Sequence, residues 1–499
     1  MAPAVRVDRI RAAKRTLLPY PIAARGRHAA VAFSFLLREG IVRFTMMRFG
    51  SRPAQRKMRI LPLIAATYFM VSGGPYGIED ILGGAGFARA ILILLLLPFL
   101  WSLPAALMIG ELASAIPAEG GFYIWVRRAL GPFWGYQESW LSLSASIFDM
   151  ALYPAIFVLY LGKFSPGLTA GWRGYAWSLA VVALCSTWNL LGAPEVGEDS
   201  VGLFALLLAP FAIFIVLGFW RAFALHPAVQ WGRPAAGSAS ATAFSTAILV
   251  AMWNYMGWDN ASTVAQEVEN PQRNYPRAMI VSIILVAVTY ILPLAAMALA
   301  GLSPNSFSTG DWTTAVRAVG GPLLEMAVVA GGCITGIGMF NALVMSYTRL
   351  PMAMAEDGMM PRVLARRNRR GVPWVSVLVC GLAWALALKL PFDRLISMDL
   401  ILYGSSLLLE FVALAVLRIR EPNLERPFKA GNLVTACLLG VAPAALIGYA
   451  LYAARDEKLT GSISALLFSV AVGVLGPMLY WLTVVPLGRR CRAGTATAD

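Results

Sequence analysis

From Ile60 onward the chain alternates long apolar runs with short charged or Gly/Pro-rich breaks. Runs of about 20 apolar residues match the hydrocarbon thickness of a bilayer. The pattern predicts twelve spans, near 60–88, 90–114, 133–162, 174–192, 200–220, 244–266, 277–301, 320–349, 373–391, 395–417, 431–453 and 463–486. An even number of spans returns both termini to one side. Composition agrees: of 499 residues, 59% are hydrophobic and only 13% charged, where soluble domains carry about 25% charged residues. The expected class is an all-α integral membrane protein, with a basic segment over 1–59, a helical domain over 60–486 and a short tail over 487–499.

Charge sharpens this picture. The net charge is +15, and residues 1–59 hold fourteen Lys or Arg against Asp8 and Glu39, a net +12. A basic segment directly before a span reads as a cytoplasmic anchor attracted to anionic lipid rather than as a nucleic-acid arm. Within it, 29–37 is too short to span and fits an interfacial helix, and Met46, Met47 and Met58 are later candidate starts. With the N-terminus inside, the inner connections carry seventeen Lys or Arg beyond the leader and the outer ones ten. That bias predicts cytoplasmic termini in a plasma (inner) membrane. Five scattered cysteines and two histidines, His28 and His226, supply no metal-ligand spacing. No phosphate loop or Ser/His or Cys/His constellation is present, so no metal, cofactor or enzyme is expected. No filter-like repeat points to a channel.

Two spans contain stretches that lipid would not tolerate unless they line a cavity. The first holds Ser72-Gly73-Gly74-Pro75-Tyr76-Gly77, and the sixth holds Trp253-Asn254-Tyr255-Met256-Gly257-Trp258-Asp259. Breaks in the first helix of each five-helix half point to an inverted-repeat transporter with its site at mid-membrane. The halves would be about 60–220 and 244–417, with spans eleven and twelve (about 431–486) added outside them.

Acids mark the same places. Glu79 and Asp80 follow the first break, Asp149 lies in the third span, Asp259 in the second break and Glu410 in the tenth span. A carboxylate in a span centre costs about 2.5–3.5 kcal/mol on insertion scales and requires a reason. The spans hold almost no Lys or Arg to neutralise these five, so the pocket should be electronegative and suited to a cationic substrate, protons or a metal cation. Glu111, Glu138 and Glu325 lie nearer span ends, within reach of headgroups or water. Tyr76, Tyr153, Trp253, Tyr255 and Trp258 surround the acids, and aromatic faces attract ammonium groups. Tyr123, Trp134 and Trp140 read as interfacial belt residues.

Here the chain resembles the amino acid/polyamine/organocation superfamily, and within it the polyamine uptake transporters of plants and protozoa. The motifs are Val71-Ser72-Gly73-Gly74-Pro75-Tyr76-Gly77-Ile78-Glu79-Asp80, Asp149-Met150-Ala151-Leu152-Tyr153-Pro154, Trp253-Asn254 with Trp258-Asp259, and Leu409-Glu410-Phe411. The resemblance implies twelve transmembrane helices in a 5+5 inverted repeat (LeuT-like) with broken helices 1 and 6, and import of polyamines or related amines by proton-coupled symport. An amino acid permease is the alternative. Carried onto this chain, Ser72, Gly73, Gly74 and Gly77 offer backbone groups. Asp149 and Asp259 face the amines, and Tyr153, Trp253 and Trp258 form walls, with Asn254 and Gly257 in the second break. Two departures matter. Gly73-Gly74-Pro75 replaces the Gly-Ser-Gly turn of many amino acid carriers, and the fifth span lacks the lysine some proton-coupled relatives use. Coupling then falls to Glu79, Asp80 or Glu410.

Overall fold

The first apolar run forms helix α1, Ile60–Val71, and stops where Ser72 turns extended. Helicity resumes at α2, Glu79–Leu97, which carries a kink at Gly86 (φ 74°). The kink separates the second half of the first span from a long helix that continues through a π-helical turn, Pro98–Ser102, into α3, Leu103–Ala115. The π turn coincides with Pro98 and Pro104, where missing N–H donors loosen the ladder. These coordinates come from a computed structural model that describes residues 57–229, 231, 241–304, 307–460 and 463–484. The basic leader, its expected interfacial helix at 29–37 and the tail from 487 lie outside the described residues.

Beyond α3 come α4 (Phe122–Leu130), α5 (Pro132–Phe164), α6 (Trp172–Asn189) and α7 (Ala193–Leu225). The next helix, α8 (Ala241–Asn254), ends at the second break. There the expected run to 266 is not an α-helix. It continues as 3-10 turns at Trp258–Thr263 and Ala265–Glu267. Then follow α9 (Pro271–Leu299), α10 (Trp312–Tyr347, kinked at Gly321), α11 (Arg349–Glu356), α12 (Trp374–Ala387) and α13 (Phe392–Arg420). The chain closes with α14 (Leu433–Leu439), α15 (Val441–Ala453), a short ribbon of Lys458–Thr460 and Ile463–Ser464, and α16 (Ala465–Leu479). Among the described residues, eight helical runs are long and apolar enough to cross a membrane; Ile60–Val71 and Trp374–Ala387 are shorter apolar helices.

The core is built on α5, which packs most extensively against α10 and α13. In α10 and α5, 78% and 72% of the most apolar window is buried, against 22% and 17% for Leu433–Ala453 and Ala465–Val484, so the last two runs form the rim. Side chains such as Leu323, Leu386 and Phe223 face outward with three quarters or more of their surface exposed. Lipid tails are the solvent such a surface suits.

Three residues expected near headgroups or water lie elsewhere. Glu111 is fully buried and held by Arg418 and Arg426, residues more than 300 positions away. Glu138 is also fully buried, bonded to Ser406 at 2.8 Å. Tyr123 is not a belt residue: it is buried, and its hydroxyl donates to Asp357 at 2.7 Å. Arg127 reaches the same Asp357 oxygen at 2.6 Å and Arg349 pairs with Glu267 at 2.6 Å, so these arginines are spent on acids at the ends of helices and turns.

Candidate functional site

The first break is an ordered turn, and several of its polar groups are bound within the protein. The Ser72 hydroxyl accepts from the Gly74 amide (3.1 Å), and the Gly77 amide donates to Glu79 Oε2 (2.6 Å). The Gly73 carbonyl accepts from Thr335 (2.8 Å), that of Pro75 from Trp312 Nε1 (2.6 Å) and that of Gly77 from Asn254 Nδ2 (3.1 Å). Gly77 sits at φ 90°, where a side chain would be strained, and a Cβ there would come within 3.2 Å of the Trp253 ring. Glu79 opens α2, where a carboxylate is favoured by the helix dipole. It also accepts from Tyr160 (2.5 Å) and the Gly310 amide (3.0 Å). Asp80 is fixed by the amide and hydroxyl of Thr309 at 3.1 and 2.7 Å.

The second break mirrors this chemistry. Gly257 also has φ 90°, and a Cβ there would stand 2.5 Å from the Met70 carbonyl oxygen at the end of α1. The two breaks therefore touch through glycine. The Gly257 amide donates to the Tyr403 hydroxyl (2.9 Å), which in turn donates to Asp259 Oδ1. The Trp258 indole turns back to the Tyr255 carbonyl (2.7 Å) and is fully buried.

Between the breaks, α5, α10 and α13 close a small cavity. Asp149, Tyr153, Trp253, Asn254 and Gly257 line it, with Tyr76, Tyr347, Tyr403 and three methionines. Asp149 accepts from the Tyr153 hydroxyl on one oxygen and from Tyr347 on the other (3.2 Å). The Tyr153 and Trp253 rings stack at 6.4 Å with 23° between planes. The open volume is ≈ 10 Å³, about the room one water needs.

Among the candidates from sequence, the cavity thus gathers Asp149, Tyr153, Trp253, Asn254 and Gly257. Asp259 stands behind Tyr403, Trp258 packs at its own turn, and Ser72, Gly73, Gly74 and Gly77 form the break beside it without lining it. Glu79 and Asp80 lie at the far end of the first break, and Glu410 lies on α13 with both oxygens buried and without a hydrogen-bond partner. Among the described residues none of these acids is in an ion pair.

The sequence that builds this bundle has relatives among known proteins. Residues 64–481 match the family described as amino acid permease. The chain belongs to the amino acid permease family. This permease is 34% identical over 406 residues to a probable polyamine transporter of Arabidopsis thaliana, covering 81% of this chain and 80% of that protein. It is 34% identical over 446 residues to the polyamine transporter PUT1 of Oryza sativa subsp. japonica, covering 86% and 80%. At 25% identity over 434 residues it also resembles the serine/threonine exchanger SteT of Bacillus subtilis, covering 84% and 93%.

Reading the permease from sequence missed three polar residues that matter to the site. Tyr347, at the end of span eight, and Tyr403, within span ten, cap the two aspartates. Asp399, fully buried one helical turn before Tyr403, has both carboxylate oxygens unpartnered. It stands only a few residues from the start of its span, five after Arg394 in sequence, where a carboxylate is ordinarily wet. The available signal was its i, i+4 spacing from Tyr403, which places both on one helix face.

Proposed function

We propose that this permease is a secondary active transporter importing polyamines or related cationic amines by alternating access. One observation carries the reading: among the described residues, the pocket presents the buried Asp149, with Asp259 behind Tyr403, tyrosine donors and aromatic walls but no cation. An ammonium group supplies the missing charge and donors, and Trp253 and Tyr153 add ring faces. The first break argues against a zwitterion. A substrate carboxylate needs free amides at helix N-termini, whereas the amides of Gly74 and Gly77 are taken by Ser72 and by the carboxylate of Glu79, which would repel a second anion.

The same reading holds that twelve helices form a 5+5 inverted repeat, about 60–220 and 244–417, with 431–486 outside it. Support comes from the two breaks at corresponding positions and the peripheral place of the last two runs. Substrate binding is assigned to Asp149, Tyr153, Trp253, Asn254 and Gly257 at the cavity, and to Asp259 and Trp258 with Ser72, Gly73, Gly74 and Gly77 as its frame. Proton coupling is assigned to Glu410 ahead of Glu79 and Asp80, because the latter two are held by fixed donors and Glu410 is not. The basic leader is assigned to the anionic cytoplasmic leaflet of the plasma (inner) membrane, with both termini inside.

The test is uptake of labelled putrescine into proteoliposomes, with proton and sodium gradients varied separately and amines and amino acids as competitors. Competition by di- and polyamines and collapse of uptake with the pH gradient support the proposal. Competition by serine or arginine alone would reassign the site to amino acid transport, the reading favoured by the family description and the SteT likeness.

A further inference from the structure

The cavity is served by more negative charge than one ammonium requires. Asp149 and Asp259 each have a tyrosine hydroxyl on the carboxylate, a partial substitute for solvent that keeps them tolerable in the empty protein. Asp399 has nothing. It is fully buried, and neither oxygen has a hydrogen-bond partner. Buried polar groups in native proteins are almost always satisfied, and an orphan carboxylate is the costly exception.

Its surroundings point to one occupant. Asp399 and Tyr403 are one turn apart on α13, and Tyr403 lines the cavity. Their i, i+4 spacing puts both on one face of the helix, so the orphan carboxylate lies one turn behind the cavity wall that Tyr403 forms. Among the described residues it has no ion-pair partner. The missing partner is a cation that arrives with the substrate, distinct from the charge that Asp149 neutralises.

We propose that Asp399 is the counter-charge for a second ammonium group, and that it makes the site select diamines and longer polyamines over monoamines and zwitterions. A monoamine completes Asp149 and leaves Asp399 orphaned. A diamine completes both, its carbon chain lying along Tyr153 and Trp253. The inference rests on the polyamine reading and names what within that site counts the charges.

The experiment is calorimetric titration of the full chain in lipid nanodiscs with putrescine and with n-butylamine, which share a four-carbon chain and differ by one ammonium. In the wild type, putrescine should bind at least tenfold more tightly. In Asp399→Asn that gap should collapse to within about threefold, through loss of putrescine affinity with butylamine unchanged. A gap that persists, or both affinities falling together, overturns the inference. Should the Asn variant not yield folded protein, Asp399→Glu decides. Its carboxylate reaches one methylene further, so preference should move from putrescine toward 1,3-diaminopropane, and an unchanged order overturns the inference. Wild-type protein that binds neither amine refutes the polyamine reading itself, a different outcome from a wild-type gap that survives the substitution.

Discussion

Replacing Asp149 by Asn removes one negative charge while leaving the shape of the pocket intact. The amide oxygen still accepts from Tyr153 and the amide nitrogen can donate to the Tyr347 oxygen, so both contacts of the carboxylate have substitutes. The empty protein loses a buried charge that lacks a cationic partner, and its thermal stability should hold or rise slightly. Amine binding is another matter. Truncating one member of a buried, hydrogen-bonded charge pair costs about 2–5 kcal/mol. An amide that keeps one acceptor should fall at about 2–4 kcal/mol, which is about 30- to 700-fold in affinity. The assay is putrescine binding to purified protein in nanodiscs, paired with a melting curve on the same sample. A fall in affinity with an unchanged melting curve is expected. Affinity within about threefold of wild type would refute the placement of Asp149 on the amine.

Other outcomes follow from the same geometry. Gly257→Ala places a Cβ at φ 90° against the Met70 carbonyl, a backbone penalty of about 1–3 kcal/mol before the clash; melting temperature and transport should both fall. Arg418→Met leaves the buried Glu111 with Arg426 and the Ala430 amide and should destabilise by about 3 kcal/mol. A Glu111→Gln/Arg418→Met double variant should recover part of that loss in denaturation, whereas Arg317→Ala, which breaks an exposed pair, should cost less than about 1 kcal/mol. Tyr403→Phe removes the hydroxyl that donates to Asp259 and accepts from the Gly257 amide; it should weaken amine binding about tenfold, read by titration. Glu410→Gln should abolish gradient-driven accumulation while sparing amine exchange across the vesicle membrane, and retained accumulation would remove Glu410 from coupling.

How much of this was legible in the chain depended on whether a feature was local. The two breaks were, because glycine, proline and polar side chains inside an apolar run are costly in lipid unless they line a cavity, and helices do stop at Val71 and Asn254. The cost of a carboxylate in lipid likewise singled out Asp149 and Asp259. Features made by convergence were not legible. That Glu111 meets Arg418, that Tyr347 and Tyr403 reach the aspartates, and that the Gly74 and Gly77 amides are occupied all depend on neighbours set by packing. Asp399 was hidden by its place near a span end, where position along the chain says little about depth in the bundle. The expected sixth span does not continue as α-helix to 266, because Gly257 and the polar run to Thr263 turn it into 3-10 structure.

The central claim is that a positively charged guest completes acids this protein leaves unpaired. Direct titration of wild-type protein in nanodiscs with putrescine, spermidine, arginine and serine tests it most plainly. Saturable binding of the two polyamines is expected, with arginine weak and serine undetectable. Serine binding as tightly as putrescine, or no binding of either polyamine, would contradict it.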